Sequence, residues 1–228
     1  MTERVTEATH DRHGYLPAMG HHRLLPLYDG FTRLLGVGSF HRTLVDQAGL
    51  RPGQRVLEIG CGTGNLCLLG KRRHPDVDVV GLDPDPKALS RAAAKAQRQG
   101  LPLQLDRGFA EALDYPNQHF DSVLSALMFH HLEPQQKLAA LREVRRVVRP
   151  GGSLHLVDFG GSMSPSDGFM ARRAHRIERL RDNFGERIPQ LMAEAGLDNP
   201  TEVDHRVTLL GRVTFYRAGS DGGTGPEP

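Results

Sequence analysis

The pattern of apolar and polar residues changes near residue 54. Between residues 15 and 50, apolar residues recur three or four positions apart, which predicts two or three short amphipathic helices broken near Pro26 and at Gly36-Val37-Gly38. From Gln54 onward, short apolar runs alternate with stretches of helical periodicity. This alternation predicts a parallel sheet with helices on both of its faces.

Five strands and three helices follow from this alternation. The predicted strands are Arg55–Ile59, Val77–Leu82, Leu103–Asp106, Asp121–Ser125 and Ser153–Asp158. One helix is predicted to run from a glycine-rich loop to about Arg73, and the other two are Pro86–Gln99 and Pro134–Arg149. The last helix meets a strong stop signal at Pro150-Gly151-Gly152.

The order of elements changes after residue 160. We predict a basic helix over Phe169–Phe184, a short helix over Pro189–Ala195, and two strands, Glu202–Leu209 and Arg212–Arg217. The short separation of the two strands near Gly211 indicates an antiparallel pair. The pattern as a whole predicts an α/β fold with a doubly wound, seven-stranded sheet. That sheet is mostly parallel, with an antiparallel C-terminal strand and a helical N-terminal extension.

Composition indicates one ordinary globular domain. We expect residues 15–218 to form it, with 15–50 as a helical lid over a core of 51–218. Residues 1–14 and the Gly/Pro-rich residues 219–228 are expected to be disordered.

Charge and cysteine content exclude several classes of protein. A formal net charge of +2 over 228 residues gives no argument for a nucleic-acid partner. No apolar run approaches the ~20 residues of a membrane span, so no integral membrane segment is expected. Cys61 and Cys67 make neither a disulfide framework nor a four-cysteine zinc site, so we expect a cytoplasmic protein without a metal.

The most informative stretch is Val56–Leu66, where a strand runs into a glycine-rich loop. Gly60, Gly62 and Gly64 allow a sharp turn and let a ligand lie against the backbone. The GxGxG spacing differs from the GxGxxG dinucleotide pattern, and Glu58 inside the strand suits a cationic amino-acid ligand better than a pyrophosphate. The alternative is a tight strand–helix turn that holds no ligand.

A second candidate is Asp83, at the end of the second predicted strand. In a doubly wound sheet this position faces the ribose of a bound nucleoside, and a carboxylate there can accept both ribose hydroxyls. The alternative is a helix cap, for which Asp85 is the better placed residue.

These motifs resemble those of the class I S-adenosylmethionine-dependent methyltransferases. Within that class, the chain is similar to the group that contains the ubiquinone and menaquinone C-methyltransferases, over about residues 24–217. The resemblance rests on five segments in order: Val56–Leu66, Gly81–Pro84, Gly108–Leu113, Phe120–Leu132 and Leu141–Asp158. It implies a Rossmann-like methyltransferase domain with S-adenosylmethionine as its cofactor.

The resemblance also implies a set of cofactor-binding residues: Tyr28, Glu58, Gly60, Cys61, Gly62, Asn65, Asp83, Pro84, Phe109, Ala110 and Ser125. Pro84 would lie beside adenine, and Ser125 beside the methionine part. Many relatives carry an Asp where this chain has Phe109, so this side chain either contacts the purine or fills the core. Tyr28 is either a residue of a lid over the cofactor or a half-buried core tyrosine.

The same resemblance places His130 and His131 near the mouth of the acceptor pocket. Histidine is the side chain best suited to take a proton near neutral pH, so either could be a catalytic base. The alternative is a histidine at a helix start that bonds nearby backbone.

The implied function is transfer of a methyl group to a small-molecule acceptor: a quinone precursor, a phenol, an amine or a specialised metabolite. A base is needed only if that acceptor is protonated, because the methyl of a sulfonium is already activated. Two alternatives are a non-catalytic S-adenosylmethionine-binding or regulatory protein and an NAD-dependent oxidoreductase. The glycine spacing argues against the latter. The assembly state is open, with a homodimer as one outcome.

Overall fold

A single seven-stranded sheet forms the centre of the chain in a computed structural model, which describes residues 37–161, 183, 185–208 and 211–220. The strands are β1 (Arg55–Ile59), β2 (Asp78–Asp83), β3 (Gln104–Arg107), β4 (Phe120–Ala126), β5 (Val148–Phe159), β6 (Asp198–Thr208) and β7 (Gly211–Ser220). The helices are α1 (Val37–Ala48), α2 (Asn65–Arg73), α3 (Pro86–Gln99), α4 (Pro134–Val147) and α5 (Arg187–Glu194).

The strand order is β3-β2-β1-β4-β5-β7-β6. β1 to β5 run parallel to one another, whereas β7 is antiparallel to both β5 and β6. The order reverses between β1 and β4, so their carboxyl ends flank the crevice where open α/β sheets bind ligands. The predicted α/β class, the seven strands and the antiparallel C-terminal strand are confirmed.

Local signals explain why α3 has the bounds that its sequence predicts. The Asp85 side chain accepts a hydrogen bond from the backbone N–H of Lys87 at 2.8 Å, which caps the helix, and Pro86 occupies its first turn. Gly100 ends it in the left-handed conformation, with φ of 62°. These three residues allow both ends of α3 to be predicted from the sequence.

Apolar side chains pack on both faces of the sheet. On one face, Leu57 and Ile59 of β1 join residues of α4 and α5, including Leu141 and Ile188. On the other face, Val56 joins residues of α1 and α2, including Leu44 and Leu66. Alternate residues of β1 therefore point to opposite sides, and Glu58 points to the same side as Val56.

Part of the predicted lid is a core element. Residues 37–48 form α1, whose Leu44 and Val45 have no exposed surface and pack in the cluster that includes Val157 and Phe215. These buried side chains fix α1 to the sheet, and the assignment of residues 15–50 to a lid stays a prediction. Residues 15–36 lie outside the described part of the chain, as does most of the predicted helix Phe169–Phe184.

β5 and β7 are among the strands that are longer than the sequence predicts. β5 begins at Val148 rather than Ser153, because Val148 pairs with Phe120 and Gly152 pairs with Ser220 of β7, while the register with β4 shifts between these pairs. Pro150-Gly151-Gly152 is thus an irregularity inside a strand and not only a helix stop. β7 reaches Ser220, two residues into the segment predicted to be disordered.

No helix among the described residues has the length and the apolar character that a bilayer crossing requires.

Candidate functional site

The loop after β1 turns sharply at glycines. Gly60 and Gly62 have φ of 72° and 52°, a conformation that other residues rarely adopt. A Cβ on Gly60 would lie 2.3 Å from the Cγ of Met128, so the bare backbone lets the segment after β4 pack onto the loop. A Cβ on Gly62 would meet none of the described residues within 4 Å, so open space lies in front of it in this part of the chain.

Asp83 at the end of β2 holds this loop in place. Its Oδ2 accepts a hydrogen bond from the backbone N–H of Gly62 at 2.8 Å. Its Oδ1 accepts one from the backbone N–H of Asp85 at 2.9 Å. Burial raises the pKa of this carboxyl group. Because Asp85 provides the cap of α3, Asp83 is not the residue that begins the helix. Its carboxylate lies at the sheet edge, bonded to the loop that borders the open space.

Glu58 lies behind the loop, in a buried polar cluster with two thiols. The Cys67 Sγ donates to the Glu58 Oε2 at 2.7 Å, and burial raises the pKa of Glu58 to about 8. The Sγ atoms of Cys61 and Cys67 each lie 3.0 Å from where a Cβ of Gly81 would stand, so the missing side chain of Gly81 makes room for both. Both cysteines are free and buried.

The first residue of α2 is held by a lysine from α3. The Lys95 ammonium donates to Asn65 Oδ1 at 2.9 Å and to Thr63 Oγ1 at 2.8 Å. The side chain of Asn65 is therefore fixed at the rim of the glycine loop.

Phe109 is a large apolar side chain at the surface, beyond the end of β3. It is 38% exposed, whereas Ala110 beside it is buried. The expectation that Phe109 fills the core is therefore wrong. The N–H of Gly108 donates to the Asp83 carbonyl at 3.3 Å, and the Arg107 Nε donates to the Pro84 carbonyl at 3.3 Å. These two bonds bring the segment after β3 against the end of β2.

β4 ends with a buried hydroxyl and an abrupt turn. Ser125 is 4% exposed, and its Oγ has no hydrogen-bond partner among the residues that the structure describes. Buried hydroxyls are normally bonded, so this oxygen points to a missing partner such as a ligand or water. Leu127 then adopts φ of 53°, which is uncommon for a bulky residue and carries the chain out of the sheet.

The histidine pair lies in the single 3₁₀ turn that follows, Phe129–His131. His130 Nδ1 lies 2.7 Å from the Oδ1 of Asp158, whose side chain is fully buried at the end of β5. The rings of His130 and His131 are 4.0 Å apart, centroid to centroid. Sequence reasoning missed Asp158. An acidic residue at the end of a predicted strand was the available signal, because parallel strands place their ligand-facing residues there.

Of the predicted site residues, all but Tyr28 lie within the described part of the chain. They lie at the carboxyl ends of β1, β2, β3 and β4 and in the segments after them. Among the described residues, no three His, Cys, Asp or Glu side chains are arranged to hold a metal ion.

Comparison with known proteins identifies the type of domain. Residues 56–152 match the family of methyltransferase domains. The chain is 37% identical over 139 residues to the demethylmenaquinone methyltransferase of Thermus thermophilus, which covers 60% of this chain and 62% of that protein. It is 32% identical over 149 residues to the ubiquinone/menaquinone biosynthesis C-methyltransferase of Cupriavidus necator, which covers 63% of this chain and 60% of that protein. The aligned part is thus a little under two thirds of either relative.

The fold agrees with that of a solved structure. The YcgJ protein of Bacillus subtilis superimposes with a TM-score of 0.66 at 18% identity, over 89% of this chain and 100% of that one. At this identity the likeness concerns the fold alone.

Proposed function

We propose that this chain is a class I S-adenosylmethionine-dependent methyltransferase, close to the ubiquinone and menaquinone group, and that it methylates a small quinone precursor. The observation that carries the proposal is the carboxyl edge of the sheet. There the Asp83 carboxylate is bonded to the glycine loop after β1, and Ser125, whose Oγ has no hydrogen-bond partner within the described residues, pairs with Ile59 at the end of β1. A ligand with a nucleoside and an amino-acid end suits these groups.

The residues present fit S-adenosylmethionine. The space in front of Gly62 lets a ligand approach the backbone, and each oxygen of Asp83 keeps a lone pair for a ribose hydroxyl beside its bond to the protein. The Ser125 Oγ can bond a polar group of the methionine part. When bound, the cofactor supplies an activated methyl group on a sulfonium, whose electron pair stays with sulfur when the acceptor takes the methyl.

The remaining predicted contacts belong to the same proposal. Pro84, Phe109 and Ala110 border the adenine, with the exposed ring of Phe109 able to lie on the purine. Gly60, Cys61 and Asn65 shape the loop around the amino-acid end, and Glu58 places a buried carboxyl group beneath it. Tyr28 is retained as a lid residue on the resemblance alone.

The acceptor is proposed from the relatives, which are named as a demethylmenaquinone methyltransferase and a ubiquinone/menaquinone biosynthesis C-methyltransferase. A quinone ring is nucleophilic only in its hydroquinone form, which carries hydroxyl protons. A histidine of the pair His130 and His131 is the proposed base. The proposal requires neither a nucleic acid nor a homodimer. Two free, buried thiols favour a reducing, cytoplasmic setting.

Mass spectrometry tests the function directly. The full chain is incubated with S-adenosylmethionine and a reduced demethylmenaquinone analogue, and the product is expected to gain the mass of one methylene group. The matched control is the Asp83→Ala variant, which should form product only at higher cofactor concentration, since a hydrogen bond to a charged group contributes about 1.5–3 kcal/mol. Cofactor binding without any methylated product from a broad panel of acceptors would favour the regulatory, non-catalytic alternative.

A further inference from the structure

Asp158 is a fully buried carboxylate that serves three donors. Its Oδ1 accepts the backbone N–H of Phe159 at 2.7 Å and lies 2.7 Å from His130 Nδ1. Its Oδ2 accepts the backbone N–H of His130 at 3.2 Å. A buried carboxylate is costly unless its oxygens are bonded, and here protein donors occupy both of them.

This arrangement sets which nitrogen of His130 carries the proton. A carboxylate can only accept, so Nδ1 must be the N–H donor in the neutral ring. Nε2 is then left with its lone pair. Neither Nε2 nor any other His130 atom makes a further hydrogen bond within the described residues. The ring is also held by edge contact with Phe159, 5.2 Å between centroids, and its side chain is 17% exposed.

The ring stands close to the proposed methyl donor. Met128, two residues before His130, packs directly on Gly60 of the glycine loop. Leu127 donates its N–H to Val157 of β5 at 2.8 Å, so the turn that carries His130 lies across the carboxyl ends of β4 and β5. The turn therefore lies at the same edge of the sheet as the glycine loop.

From these contacts we propose that Asp158 is a positioning residue that presents His130 Nε2 as the base for an acceptor bearing a phenolic or hydroquinone hydroxyl. The inference deepens the proposed function and rests on it. In the step assigned here, the acceptor's O–H bond breaks and its proton goes to Nε2. The electron pair stays on the acceptor, which forms its new bond to the methyl carbon as the sulfur–carbon bond breaks. The resulting imidazolium is stabilised by Asp158 through Nδ1–H.

The proposal separates the two histidines. His130 Nδ1 is hydrogen-bonded to a buried carboxylate, and His131 stacks on the His130 ring. The proposal also restricts the acceptor to rings that bear a hydroxyl group. A neutral amine already has a free lone pair and would gain nothing from a base.

Nitrogen-15 NMR of the histidine rings tests the positioning role without any turnover. In the full chain at pH 8, His130 is expected to carry its proton on Nδ1. In the Asp158→Asn variant, the side-chain NH2 group replaces one carboxylate oxygen and must face either a backbone N–H or Nδ1 of His130. A mixture of His130 tautomers is therefore expected. A His130 protonated on Nε2 in the unmodified protein would overturn the proposal, whether or not methyl transfer occurs.

Acceptors of graded acidity test the base. With substituted 1,4-dihydroxynaphthalenes, His130→Gln and Asp158→Asn should lose about 10²–10⁴-fold in kcat on the least acidic probe, the usual scale for general base catalysis. The loss should fall below about 10-fold on the most acidic probe, which ionises without help. A merely structural residue would lower kcat equally for every probe, and that result would refute the assignment.

Two variants serve as matched controls. Asp204 accepts the N–H of His205 on its Oδ1 at 2.7 Å, just as Asp158 accepts that of Phe159, and no ring nitrogen is hydrogen-bonded to it. Asp204→Asn should therefore leave the dependence of kcat on acceptor acidity, the acidity profile, unchanged. His205→Gln, at the exposed His205, should leave it unchanged as well. If His131→Gln alone changes the profile, the base is His131 and the role given to Asp158 is wrong. If the unmodified chain methylates no probe at all, the proposed function fails, while the NMR result still decides the tautomer.

Discussion

At the scale of single residues, Glu58 is a buried carboxyl group whose pKa lies far above its usual value. It is 3% exposed and bonded to a thiol, and burial raises its pKa from 4.5 to about 8. The folded state therefore holds a proton here that the unfolded chain releases between pH 4.5 and pH 8. Its contribution to stability is complete below pH 4.5 and is lost as the pH rises toward 8.

Replacing Glu58 with Gln should make the stability of the protein less dependent on pH. In the unmodified chain this group lowers the free energy of unfolding by about 1.4 kcal/mol for each pH unit within its window. Urea unfolding at pH 5.5, 6.5 and 7.5 should give a steeper decline for the unmodified chain than for Glu58→Gln. Parallel declines would mean that the carboxyl group is already ionised throughout this range.

At the scale of elements, the sequence predicts best where local signals decide. β1 and α3 have the bounds predicted for them, because a cap, a proline and a glycine mark α3 and a compact apolar run marks β1. The start of β5 could not be predicted in the same way, since residues 148–152 join the sheet through pairing with β4 and β7. Such pairing joins residues that are distant in the sequence. Pro150-Gly151-Gly152 predicts a helix stop and gives no sign of this pairing.

The candidate site follows the same division. The glycine loop and Asp83 are contiguous motifs with a recognisable spacing, so their place at the sheet edge was predictable. The contact between His130 and Asp158 joins residues 28 positions apart and depends on the adjacency of β4 and β5. Whether Phe109 is exposed likewise depends on packing that periodicity does not encode.

The position of α1 against the sheet leads to a prediction at this scale. Leu44→Ala should lower the free energy of unfolding by about 2–5 kcal/mol, the usual range for a fully buried leucine. Arg42→Ala, at an exposed position of the same helix, should change it by less than about 0.5 kcal/mol. Urea unfolding measures both. A stable Leu44→Ala variant with a raised KM for the acceptor would instead identify α1 as part of a lid.

At the scale of the whole molecule, Asp83 connects ligand binding to folding. Its carboxylate bonds the glycine loop to the end of β2, so a ligand that binds both should stabilise the fold. A ligand that binds the native state alone, at 100 times its Kd, adds about 2.7 kcal/mol to the free energy of unfolding.

S-adenosylhomocysteine should therefore raise the Tm of the unmodified chain. At the same ligand concentration, Asp83→Ala should show a much smaller increase, because the variant lacks both the loop anchor and the proposed ribose acceptor. Asp76→Ala, at an exposed position before β2, is the control and should keep the full increase. Differential scanning calorimetry measures these shifts, and an equal increase in all three proteins would remove Asp83 from the binding site.

The reversal of strand order between β1 and β4 divides the molecule into two halves with separate tasks. The groups assigned to the nucleoside follow β1, β2 and β3, whereas His130 and Asp158 follow β4 and β5. The halves meet where Ile59 pairs with Ser125 and where Met128 covers Gly60. We therefore expect that a change of acceptor requires substitutions in the segments after β4 and β5, while the groups after β1, β2 and β3 can stay as they are.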